Sequence, residues 1–235
     1  MWDQGLKEAI AEGDTLKTLL IIEGATDVNY VKCEGDRTAL MLCAQYGDES
    51  AINLLLSKGA DVNAEQSFGM TALHIACANG NVESAKLLLQ GGAKIDHVNV
   101  DGESALFVSI ESGHLSCVDL LIEHGVNVND KNFYQGLSSP LDCAIYFHQE
   151  DITQRLIDLG SFVNAPNHEG SPPLFTAVHS DFIGGVDILL KVGADPFIKN
   201  ERGDSPVNWA YRFNKSGSIQ LLQSHGHITE DSMPT

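Results

Sequence analysis

Apolar residues recur along this chain at helical spacing in short bursts, and the bursts come in pairs. In residues 69–93, Leu73, Ala76 and Cys77 form one apolar stripe and Val82, Ala85, Leu88 and Leu89 a second. Gly80 separates the two stripes, and Gly91 and Gly92 close the second. A stripe at that period predicts an amphipathic helix, and a glycine after it supplies the left-handed backbone at which helices stop. Each predicted helix is too short to persist alone, because nucleation is costly and packing must supply the stability. The pair therefore needs neighbours.

The rest of the chain supplies them. Six repeats align on the small or polar residue that opens each first helix: Thr38, Thr71, Ser104, Ser139, Pro172 and Ser205. Each carries a glycine 21 residues later, at Gly59, Gly92, Gly125, Gly160, Gly193 and Gly226. Two residues past the opener stands Leu40, Leu73, Leu106, Leu141, Leu174 or Val207, and five past it a small residue, Cys43, Ala76, Ser109, Ala144, Ala177 or Ala210. A degenerate seventh repeat opens the chain, where Leu6, Ala9, Gly13 and Gly24 hold the same places with one residue fewer before the second helix. From each closing glycine to the next opener is 12 residues in four connectors and 14 in two, Gly24 to Thr38 and Gly125 to Ser139. The helix pairs hold their length while the connectors vary, as surface loops permit.

The run Thr71-Ala-Leu-His-Ile-Ala76, with Gly80-Asn81, Leu87-Leu88-Leu89 and Gly59-Ala-Asp-Val-Asn63, resembles the ankyrin repeat. That family has a period of about 33 residues and a T-P-L-H-x-A signature. The resemblance spans residues 4–228. It implies an all-α solenoid of stacked helix-turn-helix units with β-hairpin-like loops. The register predicts a single ankyrin-repeat domain over residues 1–235, in units 4–34, 35–67, 68–100, 101–135, 136–168, 169–201 and 202–228, with a tail at 229–235.

In the ankyrin family the first helices and the loop tips line a concave groove, and the residues seven and eight past the opener point into it. Here those are Gln45-Tyr46, Ala78-Asn79, Glu111-Ser112, Tyr146-Phe147, His179-Ser180 and Arg212-Phe213. Their aromatic content matches that of binding hot spots. Phe68 lies in the connector before Thr71, and Phe133 and Tyr134 lie in the longer connector before Ser139. The expected partner-binding residues are therefore Tyr46, Phe68, Phe133, Tyr134, Tyr146, Phe147, Arg212 and Phe213. Asp101, Glu103, Glu111, Glu169 and Asp204 give the strip acidic character. A basic or aromatic-containing protein segment is the partner that fits.

Several departures from the repeat carry their own expectations. Nine residues past the opener come Gly47, Gly80 and Gly113, then His148, Asp181 and Asn214. The last three are side chains that tolerate left-handed backbone after glycine, so the same turn is expected at some cost. Gly184-Gly185 in a second helix predicts a late start or a bend. The N-terminal repeat, with Lys7, Glu8, Glu12 and Lys17, reads as a polar cap, and Trp2 as a cover for the open end of the core. His74 matches the signature histidine, which in the family ties loop backbone. With Met41, Phe107, Asp142, Phe175 and Asn208 in the other repeats, that network is expected to be thin.

At 235 residues and 43% apolar, the chain can bury a sizeable core. Lys and Arg number 14 against 32 Asp and Glu, a formal net charge of −18. This argues against nucleic acid or an anionic membrane as partner, since both require clustered cations, and it favours a soluble monomer that associates fast with basic surfaces. The five cysteines include no C-x-x-C pair. Cys43, Cys77, Cys117 and Cys143 fall where small buried residues belong, and Cys33 in a connector is the expected exposed thiol. A reducing setting follows, cytoplasmic or nuclear. Charges near the N-terminus stand where a signal peptide needs an apolar core, and no apolar run approaches the ~18 residues of a membrane span.

Chemistry leaves little trace. His225 and His227 lack a third ligand at helical spacing, and a metal site needs three or four converging donors. No phosphate-cradling glycine loop occurs. The reading is a non-catalytic protein-interaction scaffold without metal or cofactor; the alternative is a regulatory inhibitor that blocks an enzyme's active site. Asn29, Asn63, Asn129 and Asn164 close the Ala-Asp-Val-Asn run and are expected to bond loop backbone. The resemblance also makes Asn63, Asn129 and Asn164 candidates for hydroxylation by an oxygen-sensing dioxygenase.

Overall fold

The computed structural model describes residues 2–29, 36–130 and 139–228. Among these described residues fourteen helices fall in two compact halves, Met1–Val126 and Asn127–Thr235. The first half contains α1 (Trp2–Ala11), α2 (Thr15–Glu23), α3 (Ala39–Tyr46), α4 (Glu49–Ser57), α5 (Ala72–Ala78), α6 (Val82–Gln90), α7 (Ala105–Glu111) and α8 (Leu115–Glu123). The second contains α9 (Pro140–Tyr146), α10 (Glu150–Asp158), α11 (Pro173–His179), α12 (Ile183–Lys191), α13 (Pro206–Arg212) and α14 (Ser216–Ser224). Among the described residues extended structure is limited to isolated pairing, such as the antiparallel bridge of Val98 with Ser104. No described helix is long and apolar enough to cross a membrane.

Each half is built of two helix layers. In the first, α1, α3, α5 and α7 pack side by side, and α2, α4, α6 and α8 form the layer behind them. In the second half α9, α11 and α13 stand in front of α10, α12 and α14. The repeat explains the layering. Leu6, Leu40, Leu73, Leu106, Leu141 and Leu174 are all buried between helices, and each full burial contributes ~1.5–3 kcal/mol. The small column five past the opener is wholly buried as well, because neighbouring first helices approach closely there. Ser109 occupies that column and donates its hydroxyl to Ala105 O at 2.7 Å, so no polar atom is stranded.

The openers are helix N-caps. Thr38, Ser104, Ser139 and Ser205 accept from the backbone N–H three residues on, at 3.1–3.2 Å, a bond worth about 1 kcal/mol. Pro140, Pro173 and Pro206 take the first helical position, where the fixed φ suits the helix and the missing N–H costs nothing. The turn inside each pair is left-handed throughout: His148 (φ 58°), Asp181 (φ 62°) and Asn214 (φ 50°) adopt the geometry of Gly47, Gly80 and Gly113. The glycines 21 residues past the openers are left-handed too, whereas Gly24, in the shortened first repeat, is right-handed.

Two expectations are overturned. The pair Gly184-Gly185 neither delays nor interrupts α12, which runs the same nine residues as α10. The glycines serve packing instead. A Cβ on Gly185 would lie 2.3 Å from Phe182 Cδ1, and one on Gly184 would lie 2.7 Å from Glu150 Oε2. The N-terminal repeat is also not a uniformly polar cap: Leu16 and Leu20, one turn apart on α2, are 70% and 61% exposed.

The connectors are held from repeat to repeat by asparagine. Asn63 Nδ2 donates to Gly92 O at 3.2 Å while its Oδ1 accepts from Lys94 N at 2.8 Å. Asn29 makes the same two bonds to Gly59 O and Asp61 N, and Asn129 to Gly160 O and Phe162 N. Asn164 accepts from Asp195 N. The loop bonding expected of these residues is present, and it reaches the following repeat.

Candidate functional site

A recess opens in the second half, where three first helices and two loop tips converge. Its volume is about 230 Å³. Tyr146 at the end of α9, Phe175 and His179 on α11, and Trp209 on α13 form its walls. Ser171, Thr176 and Asn200 contribute the floor, and Glu169 and Arg202 the rim. The rings support one another: Phe175 and Trp209 lie 5.1 Å apart, His179 and Trp209 5.3 Å, and Trp209 and Phe213 4.2 Å. Phe175 is buried and Trp209 half-buried, so the cluster is anchored in the core and open on one side.

The polar groups are held in place from below. Asn167 Oδ1 accepts from the N–H groups of Glu169 and Ser171, and Asn200 Oδ1 from those of Arg202 and Asp204. These bonds shape the two loop tips. Asn200 Nδ2 donates to Ser171 Oγ at 3.2 Å. Thr176 Oγ1 donates to the buried Asp142 carboxylate at 2.7 Å. Arg202 pairs with Glu169 at 3.3 Å and Arg212 with Asp204 at 2.8 Å. The acidic strip is therefore partly neutralised in this half, and Arg212 is drawn back to the loop rather than presented freely.

The expected contact residues divide. Tyr146, Arg212 and Phe213 are exposed around the recess, and Phe147 packs edge-on against Tyr146 at 5.2 Å and is half-buried. Tyr46 and Phe68 belong to the first half, both exposed, with Phe68 on a loop tip whose carbonyl accepts from Val100 N. Phe133 and Tyr134, with Cys33, lie outside the described residues. Cys43, Cys77, Cys117 and Cys143 are buried, and burial pushes the Cys43 thiol well above its usual range. In the first half, burial raises the Glu111 carboxyl, helped by nearby Glu103.

The signature histidine ties loop backbone in the one repeat that has it. His74 Nδ1 accepts from Thr71 N at 3.3 Å and lies 2.9 Å from Thr71 Oγ1, while Nε2 reaches Glu103 O at 3.1 Å. Burial lowers its pKa to about 4, so the ring is neutral. His225 is occupied by Asp187 at 3.3 Å. No group of three or more His, Cys, Asp or Glu suited to a metal occurs among the described residues.

Comparison with known proteins then decides the family. The family model for ankyrin repeats in three copies matches residues 6–99, 40–132 and 86–167. The chain belongs to the ankyrin repeat family. The ankyrin repeat domain of Bcl-3, a member of the IkappaB protein family, is 26% identical with a TM-score of 0.77, over 93% of this chain and 97% of that one. The human ASB11 ankyrin repeat domain is 25% identical with a TM-score of 0.79, over 92% and 96%. The fowlpox virus (strain NVSL) ankyrin repeat protein FPV219 is 33% identical over 93 residues, 39% of this chain and 21% of the relative. The target of rapamycin complex 2 subunit AVO2 of Saccharomyces cerevisiae is 28% identical over 84 residues, 36% of this chain and 20% of the relative. The chain thus matches about a fifth of the length of these curated relatives.

Within the ankyrin register, the centre of the recess was the part that spacing rules did not select. Trp209 stands four past its opener, in a column otherwise filled by Leu42, Ile75, Val108, Cys143 and Thr176. One tryptophan among smaller side chains is the signal that marks this place.

Proposed function

We propose that this ankyrin array is a non-catalytic protein-interaction module that takes its partner on the first-helix face and the adjoining loop tips. The observation that carries the reading is the ring cluster around Trp209, anchored by buried Phe175 and flanked by exposed Tyr146 and Phe213. Aromatic anchors set in a depression with a polar rim are the arrangement that concentrates binding energy in protein interfaces. Ankyrin repeats are interaction modules in general. The names of two similar proteins, a subunit of a multi-protein complex and a member of the IkappaB family, agree with such a role.

The test pairs the wild type with Tyr146→Ala/Phe213→Ala, two exposed positions whose truncation spares the core. Peptides selected from a displayed library on the wild type are measured against both proteins. A loss of about tenfold or more, at unchanged helix content, is expected from removing two such aromatics. Equal affinity would remove the first-helix face as the binding surface.

A further inference from the structure

We infer that the recess beside Trp209 receives one arginine side chain from a basic segment of the partner. The inference rests on the reading of this face as the binding surface and goes beyond it in naming the occupant. Size comes first. About 230 Å³ falls short of the ~300–1,000 Å³ typical of small-molecule sites, and matches a single inserted side chain.

Chemistry then selects among side chains. The walls offer Phe175, Trp209 and Tyr146, and a cation within about 6 Å of such a ring face is attracted by the ring quadrupole. The floor offers an acceptor. Thr176 gives its hydroxyl proton to Asp142 Oδ1, so its oxygen meets an occupant as an acceptor, with a carboxylate directly behind it. At the rim Glu169 engages Arg202 through Oε1, and its second oxygen makes no hydrogen bond among the described residues. Both nearby cations, Arg202 and Arg212, are already paired with Glu169 and Asp204. An anionic side chain would find those cations engaged and would meet the Glu169 carboxylate at the rim. A neutral aromatic one would leave the acceptors unanswered. A guanidinium stacks flat on a ring and presents planar donors to Thr176 and Glu169 at once. The chain's net charge of −18 further favours a basic approach.

Trp2 and Trp209 are the tryptophans of this chain, so Trp2→Phe makes Trp209 the sole reporter. Blocked peptides Gly-Ser-Xaa-Ser-Gly, with Xaa as arginine, lysine, citrulline, phenylalanine or glutamate, are titrated while Trp209 emission is followed. Arginine is expected to bind about tenfold more tightly than citrulline, its uncharged near-isostere. Glu169→Gln should weaken arginine binding about threefold, and Arg202→Gln should strengthen it by removing a competing cation; circular dichroism confirms the fold of both. Citrulline, phenylalanine or glutamate binding as well as arginine, no peptide binding, or weaker arginine binding in Arg202→Gln would overturn the inference. If library-selected peptides still depend on Tyr146 and Phe213 while these probes fail, the occupant is wrong and the binding face stands. If those peptides bind independently of Tyr146 and Phe213, the binding face itself fails.

Discussion

His74 makes the folding free energy depend on pH in a definite direction. In the native state Nδ1 accepts the Thr71 N–H, so Nε2 carries the ring proton and donates it to Glu103 O. A second proton on Nδ1 would set N–H against N–H in a buried site. Burial is the leading cause of the fall from 6.5 to about 4; the bond to Glu103 opposes it, and His97, edge-on at 5.6 Å, adds to it. Between pH 6.5 and 4 the unfolded chain therefore holds more proton at this residue than the folded one does. The stabilisation is full above pH 6.5, declines as pH falls, and is gone near pH 4. At 1.36 kcal/mol for each tenfold change, the loss is about 3 kcal/mol, a large share of the ~5–15 kcal/mol that hold a domain together. Urea unfolding of the wild type and of His74→Asn, at steps from pH 7 to pH 4, isolates the effect, because carboxylates that titrate in both proteins cancel in the difference. At pH 7 the variant should be weaker by about 1–3 kcal/mol for the lost buried bonds; by pH 4 the gap should close or change sign. A gap of constant size across that range would refute the reasoning.

Two further outcomes arise from the packing. Asn63→Ala removes the bonds to Gly92 O and Lys94 N and should cost about 1–3 kcal/mol; hydrogen exchange at the Lys94 amide should accelerate while amides of α7 keep their protection. Gly185→Ala drives a methyl into Phe182 and should destabilise by about 1–3 kcal/mol; combined with Phe182→Ala the cost should be less than additive in a double-mutant cycle.

What the residues disclosed in advance was local backbone chemistry. Thr38, Ser104, Ser139 and Ser205 cap helices because a hydroxyl before an apolar stripe can do little else, and His148, Asp181 and Asn214 keep a turn that their side chains permit. What stayed hidden depends on groups far apart in the chain. Helix propensity misjudged Gly184 and Gly185, since the reason for them is the bulk of Phe182 and the reach of Glu150, 34 positions earlier than Gly184. The reach of His74 to Glu103 O was also hidden, because Glu103, 29 residues away, has no sequence mark of its role. The recess needed Tyr146, Phe175 and Trp209 from three repeats, and periodicity places each on a helix without bringing their rings together. The polar-cap reading of the N-terminal repeat rests on Lys7, Glu8, Glu12 and Lys17, and those charges do not disclose that helix α2 turns Leu16 and Leu20 outward.

Asn29 and Asn63 reach corresponding atoms one repeat onward: the carbonyl of the closing glycine and the amide two residues beyond it. Excising residues 60–92 would place Ala93 and Lys94 directly after Gly59, and Asn29 would meet a carbonyl and an amide at the spacing it already spans. The array would lose a storey and keep every joint. Deleting a single residue within α5 or α6 would instead rotate the part of that helix beyond the cut by about 100° and turn its apolar stripe off the core. Such a chain can grow or shrink by whole storeys far more readily than it can lose one amino acid within them.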